Sequence, residues 1–138
     1  MKHADVELAY AAGIIDGEGN ISIAYQKNKE LRIGYAYVLR VTVGNTDLLL
    51  LNWLIKHFGG SICRHKKKLL HPNWKTLYRW QLGNQQALLF LELILPYLTI
   101  KKQKAEIAIL FQHRRHKGVT RVKSQSALLQ DEVAYKLM

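Results

Sequence analysis

Cysteine occurs once in this 138-residue chain, at Cys63. A single thiol excludes an internal disulfide and gives no basis for a cysteine-rich metal site; a buried or half-buried small residue is expected there. Acids are scarce, ten against twenty-one Lys and Arg, for a net charge of +11. No apolar run is long enough to span a bilayer: the most apolar stretch, Ala87 to Leu98, is interrupted by Glu92 and Pro96. No basic segment followed by an apolar one opens the chain, so no secretory signal is read and an intracellular protein with no membrane partner is expected. Internal repeats and low-complexity segments are absent as well. What remains, 49% hydrophobic and 22% charged residues, is ordinary globular composition. The length suits one domain over residues 1–138, with a core at about 5–115 and a helical extension over 118–138.

Residues 11–19 read Ala-Ala-Gly-Ile-Ile-Asp-Gly-Glu-Gly. A helix closing on Asp16 and Glu18 sets two acids against the negative end of its own dipole, at roughly 0.3–1 kcal/mol each. A divalent cation at the helix end reverses the sign, since carboxylate and carbonyl oxygens suit Mg²⁺. Gly17 and Gly19 let the backbone turn sharply and present a carbonyl beside the acids. The plainer reading is a helix stopping at a glycine-rich turn with solvated acids.

The spacing predicts a helix over Asp5–Ile15, with Asp5 able to cap it. Ala9, Ala12 and Gly13, followed by Gly17, form a ridge of small residues on it, open to close approach by a second backbone. The period then changes to two. In Asn20–Asn28 the apolar side is Ile21, Ile23 and Tyr25, opposite Ser22, Ala24, Gln26 and Asn28. In Ile33–Val43, Gly34, Ala36, Val38, Arg40 and Thr42 oppose Ile33, Tyr35, Tyr37, Leu39, Val41 and Val43, with Arg32 just before. The two make a hairpin around Lys27–Glu30. Thr46 or Asp47 caps a helix to about Phe58 that stops at Gly59-Gly60. A third strand, Ser61–Lys68, places Arg64, Lys66 and Lys68 on one face together with Ile62. A turn around His71-Pro72-Asn73 leads to a fourth, Trp74–Leu82, where Lys75, Leu77, Arg79 and Gln81 oppose Trp74, Thr76, Tyr78, Trp80 and Leu82. Helices follow over Asn84–Leu95 and about Ile100–His113, with weak helical character from Ser126. The order is α-β-β-α-β-β-α with extra C-terminal helices, an α+β domain.

Between Lys27 and Arg79 there are eleven basic residues against Glu30 and Asp47. A sheet with one apolar face and one bearing Arg, Lys, Gln, Asn and Ser buries the first against helices and offers the second to a polyanion. Arg and Lys reach guanine edges, Gln and Asn adenine edges, and a β-ribbon fits the major groove.

Ala11–Gly19 resembles the LAGLIDADG signature, and the chain is similar to LAGLIDADG homing endonucleases of the single-motif class. Val41–Asp47, Tyr78–Leu82 and Pro96–Ala105 agree with that family in order and spacing, over roughly residues 7–112. The resemblance implies an αββαββα fold with a saddle-shaped antiparallel DNA-binding sheet and a homodimer built on the motif helices. Ala9, Ala12, Gly13 and Asp16 then lie at the interface, and the double-stranded DNA target is a long pseudo-palindrome. It places the catalytic acid at Glu18, with the Gly17 carbonyl as a second ligand of Mg²⁺ (or Mn²⁺); Asp16 holds helix ends together rather than binding metal. Lys101 matches the family's basic residue near the scissile phosphate, with Lys104 the second choice. Val43 stands where some relatives place a water-ordering Gln, so that role passes to Asn45.

Expected DNA contacts are Ser22, Gln26, Asn28, Arg32, Arg40, Thr42, Arg64, Lys66, Lys68, Lys75, Arg79 and Gln81. The implied activity is metal-dependent hydrolysis of both strands at a site within an intron's target, leaving short 3′ overhangs. Two rivals stand beside it: an RNA-binding group I intron maturase, with intron RNA as partner, and a cleavage-dead DNA-binding regulator. The compartment, chloroplast or mitochondrion against prokaryotic cytoplasm, stays open. His113-Arg-Arg-His116 has no second ligand cluster and reads as DNA-backbone contacts or plain surface; Trp74, Tyr78 and Trp80 read as core.

Overall fold

A computed structural model describes residues 3–64, 75–116 and 125–138. Helix α1 (Asp5–Glu18) is followed by strands β1 (Gly19–Lys27) and β2 (Tyr35–Asn45), helix α2 (Leu48–Phe58), and strands β3 (Ser61–Arg64) and β4 (Tyr78–Gly83). Helix α3 (Asn84–Ile94), a 3-10 turn at Leu95–Tyr97, α4 (Lys102–His116) and α5 (Gln125–Leu137) complete the chain. The αββαββα order is therefore present, with α4 and α5 as the added helices. The four strands form one antiparallel sheet in the order β1-β2-β4-β3.

Alternation decides which face of that sheet is covered. Ile21, Ile23, Leu39, Val41, Val43, Trp80 and Leu82 are buried, and they meet Leu8, Ala11, Ala12 and Ile15 of α1, Leu51 and Leu54 of α2, and Phe90, Leu91 and Ile94 of α3. Trp80 is wholly buried and donates its indole N–H to the Gly59 carbonyl at 2.8 Å. Asp47 caps α2 by accepting from the Leu49 amide at 2.9 Å. Gly59 and Gly60 end the helix at φ 76° and 93°, the left-handed region that favours glycine. α5 closes over the hairpin: Arg114 pairs with the buried Asp131 at 2.5 Å, and the Tyr135 ring lies 5.2 Å from that of Tyr37.

Several local expectations are corrected. α1 runs three residues past Ile15, and Gly17 is helical, so the sharp turn falls at Gly19 alone. Asp5 makes no cap; its carboxylate accepts from the Tyr97 hydroxyl at 2.9 Å and thereby pushes the Tyr97 phenol up from its ordinary value. β4 begins at Tyr78 and leaves Lys75 before it, and Cys63 is exposed. Ile33 and Arg32 sit in the connection between β1 and β2.

No linker separates α1 from β1. The Gly19 amide donates back to the Ile14 and Ile15 carbonyls, and the next residues pair at once with β2. A methyl group at Gly19 would lie 2.7 Å from the Ile15 Cα and 3.0 Å from its carbonyl oxygen, closer than packed atoms allow. Gly19→Ala is therefore expected to lower stability by about 1–3 kcal/mol, read as a reduced denaturant midpoint; an unchanged midpoint would show that the junction yields without strain.

Candidate active site

Glu18 is the last residue of α1 and is exposed. Its Oε2 accepts a hydrogen bond from Asn45 Nδ2 at 3.0 Å, across twenty-seven residues of sequence. Asn45 ends β2, and its Oδ1 accepts from the Asp47 amide at 2.9 Å. That amide can only donate, so it fixes which way the Asn45 side chain faces and leaves the NH₂ for the carboxylate. The turn that starts α2 thus orients the group that orients Glu18.

Asp16 and Lys101 form a second, reciprocal arrangement. The Asp16 carboxylate accepts from the amides of Thr99, Ile100 and Lys101 at 2.9, 3.1 and 2.9 Å, just ahead of α4. Lys101 Nζ returns two bonds to the end of α1, to the Ile15 and Asp16 carbonyls at 2.8 and 3.1 Å. An anion therefore sits at the positive end of one helix and a cation at the negative end of the other. Asp16 thus has a reason to be acidic within its own chain: it caps α4 and holds the two helix ends together. Lys101 faces helix carbonyls one turn from Glu18, and Lys104 is half-buried a turn further on.

Few groups remain for a cation. Lys101 takes up the Ile15 and Asp16 carbonyls, not those of Gly17 and Glu18, and Asn45 engages only one oxygen of the Glu18 carboxylate. Carboxylate and carbonyl oxygens are the donors Mg²⁺ takes, with water filling the remaining positions. The set therefore fits a hard divalent cation, which the Glu18 carboxylate and the Gly17 carbonyl would hold.

The ridge on α1 differs from the expected one by a residue. Val6, Ala9, Tyr10, Gly13 and Gly17 are exposed, whereas Ala12 is fully buried against the protein's own core. Ala12 therefore leaves the interface set, and Val6 and Tyr10 join the outer face. Ala9, Tyr10, Gly13, Ile14, Gly17, Glu18 and Leu50 line an open groove of about 550 Å³. Among the described residues nothing lies within 4 Å of a methyl placed on Gly13 or Gly17, so no contact among them requires glycine at either position.

The outer face of the sheet carries a cross-strand row in register: Asn20 opposite Thr42, Thr42 opposite Gln81, Gln81 opposite Ser61. Ser22 pairs with Arg40, Gln26 with Ala36, and Gly44 with Arg79, which in turn pairs with Cys63. Ser22, Gln26, Arg40, Thr42, Arg79 and Gln81 hence share one face, half-buried or exposed. Arg64 does not share it. Its partner is Tyr78, two residues from the buried Trp80, so its register is that of the helix-covered side. Asn28, whose side chain caps a turn by accepting from the Glu30 amide, lies beyond the end of β1, and Arg32 and Lys75 are exposed off the strands. Lys66 and Lys68 fall outside the described residues, as does Trp74.

The arginines after His113 serve the fold: Arg114 holds Asp131, and Arg115 donates to the Tyr37 carbonyl. His113 pairs with Glu92 at 3.2 Å. Among the described residues no helix is long and apolar enough to cross a membrane.

A family model described as LAGLIDADG endonuclease matches residues 11–105. No curated protein matches the chain. Among solved structures, the homing endonuclease I-CvuI in complex with the I-CreI target in the presence of Mg aligns with a TM-score of 0.81 at 18% identity, over 96% of this chain and 79% of that one. The archaeal intron-encoded homing endonuclease I-Vdi141I, complexed with DNA, aligns at 0.71 and 16% identity, over 96% and 84%. I-SmaMI bound to cleaved DNA aligns at 0.74 and 20% identity, over 96% of this chain but only 43% of that chain. At such identities these alignments establish the shared fold.

Proposed function

Because the chain belongs to the LAGLIDADG endonuclease family, we propose that it is a homodimeric homing endonuclease that cuts both strands of DNA at a long pseudo-palindromic site, using Mg²⁺ or Mn²⁺. One observation carries the reading: an exposed carboxylate, Glu18, is held by Asn45 at the end of a helix whose outer face carries Gly13 and Gly17 with open space beside them. Two copies packed along that face bring two Glu18 side chains to the symmetry axis, one for each strand. I-SmaMI supports this, since one such unit accounts for 43% of its chain.

A divalent ion held there would supply a Lewis acid for the phosphoryl oxygens. Everything else falls to the chain's own groups. Glu18 and the Gly17 carbonyl would hold the ion, and Asn45 restricts the Glu18 rotamer so that little orientation is lost on binding. Lys101 keeps positive charge one turn away, where the transition state gains negative charge, and Asp16 locks the backbone that carries it. On the sheet, Arg40 and Arg79 meet phosphates or guanine edges, while Ser22, Gln26, Thr42 and Gln81 read bases.

Incubating the purified protein and Mg²⁺ with a library of randomised pseudo-palindromic duplexes, then sequencing the cut ends, tests the proposal. Double-strand cuts with short 3′ overhangs at one related set of sites are expected. Intact duplex together with selective retention of a structured intron RNA would replace this reading with the maturase one.

A further inference from the structure

At the far end of α1 from Glu18, three metal-capable side chains converge, two from helices and one from the residues just before α1. His3 precedes α1, Glu7 lies in its first turn, and His57 lies in the last turn of α2. Glu7 Oε2 is 3.1 Å from His57 Nδ1 and 3.6 Å from His3 Nδ1. One donor atom from each of the three residues lies within 4.8 Å of the others. Donors around a tetrahedral zinc ion, each bound at about 2.0–2.1 Å, stand about 3.3 Å apart. The two short separations bracket that value, so small rotamer adjustments close the set around an ion.

The surroundings favour the same outcome. The His57 ring lies 4.5 Å from that of Trp53, tilted by 38°, and the His3 ring lies 4.8 Å from that of Phe58. These aromatics restrict both imidazoles and wall off one side of the cluster. All three side chains are partly buried, at 14%, 36% and 22% exposure for His3, Glu7 and His57, leaving one side open to solvent for a water ligand. Two imidazoles and one carboxylate suit zinc, whereas Mg²⁺ prefers oxygen alone.

We infer that His3, Glu7 and His57 form a zinc site that ties the start of α1 to the end of α2. It is separate from the Glu18 site: the two acids are eleven helical steps apart, about 16 Å at 1.5 Å per residue. Its role is to hold α1, and so the outer ridge and Glu18, in fixed relation to the helix that follows β2.

The test uses the full chain without a polyhistidine tag, stripped of metal and then dialysed against micromolar Zn²⁺ or Co²⁺. One zinc per chain is expected. Co²⁺ should give the visible absorption of a four-coordinate ion and quench Trp53 fluorescence. Glu7→Gln, His57→Asn and His3→Asn should each weaken binding at least tenfold, while Glu18→Gln should leave it unchanged. His3 lies outside every helix and strand, so its variant keeps the test valid should His57→Asn fail to fold. The inference is overturned if the wild type retains no zinc, if retention is unaltered in His3→Asn and Glu7→Gln, or if Glu18→Gln alone abolishes it.

Discussion

Glu18→Gln is expected to slow DNA cleavage by about a thousandfold or more while leaving duplex affinity within a few-fold of the wild type. The substitution keeps the side chain's length and retains an oxygen to accept from Asn45 Nδ2, so the local geometry survives. What it removes is the negative charge that, on the proposed reading, would hold a cation at the negative end of α1. Affinity, in contrast, is expected to come from phosphate and base contacts on the outer face of the sheet. Cleavage of a cognate duplex with Mg²⁺, paired with an electrophoretic binding titration, reads both quantities. Equal loss of cleavage and binding would make Glu18 a structural residue, and undiminished cleavage would move the catalytic acid elsewhere.

Gly13→Leu is the second large effect. Within one chain the substitution is benign: a methyl there meets nothing within 4 Å, and leucine favours a helix over glycine by about 0.8–1 kcal/mol. Along a helix–helix contact it is severe, because a branched side chain holds apart backbones that glycine lets approach. The variant should therefore sediment as a monomer with an unchanged circular dichroism spectrum, and should lose double-strand cleavage by at least a hundredfold. A dimeric, active Gly13→Leu protein would place the interface on another face.

Local periodicity made much of this fold legible in the sequence. The alternation in β1 and β2 identifies the buried face because each burial choice repeats over several residues, and Asp47 and Gly59-Gly60 mark the ends of α2 through chemistry confined to neighbours. Sidedness failed where residues are small: alanine is accepted on either face of a helix, so the residue type does not separate buried Ala12 from exposed Ala9, and only the spacing of Ala12 from Leu8 and Ile15 does. Arg64 was misplaced because a four-residue strand carrying three exposed positions shows no alternation from which to read parity. The interlock of Asp16 with Lys101 was beyond reach for another reason. It joins groups eighty-five residues apart in sequence, and only the return of residues 99–101, ahead of α4, to the end of α1 brings them together. The His3–Glu7–His57 cluster escaped for the same reason, though His3 and Glu7, one helical turn apart, carried half of the signal.

The junction at Gly19 has a further consequence. With no slack between α1 and β1, the acid at the end of one and the strand that follows are tied as a single lever. If that strand reads bases as proposed, a poorly matched duplex that seats a fraction of an ångström off on it would carry its backbone out of line with Glu18 by a comparable amount, and misalignment near 1 Å slows chemistry by about a hundredfold. Such a protein would sit on many imperfect sequences and cut few of them, with fidelity residing in alignment at the moment of hydrolysis more than in occupancy.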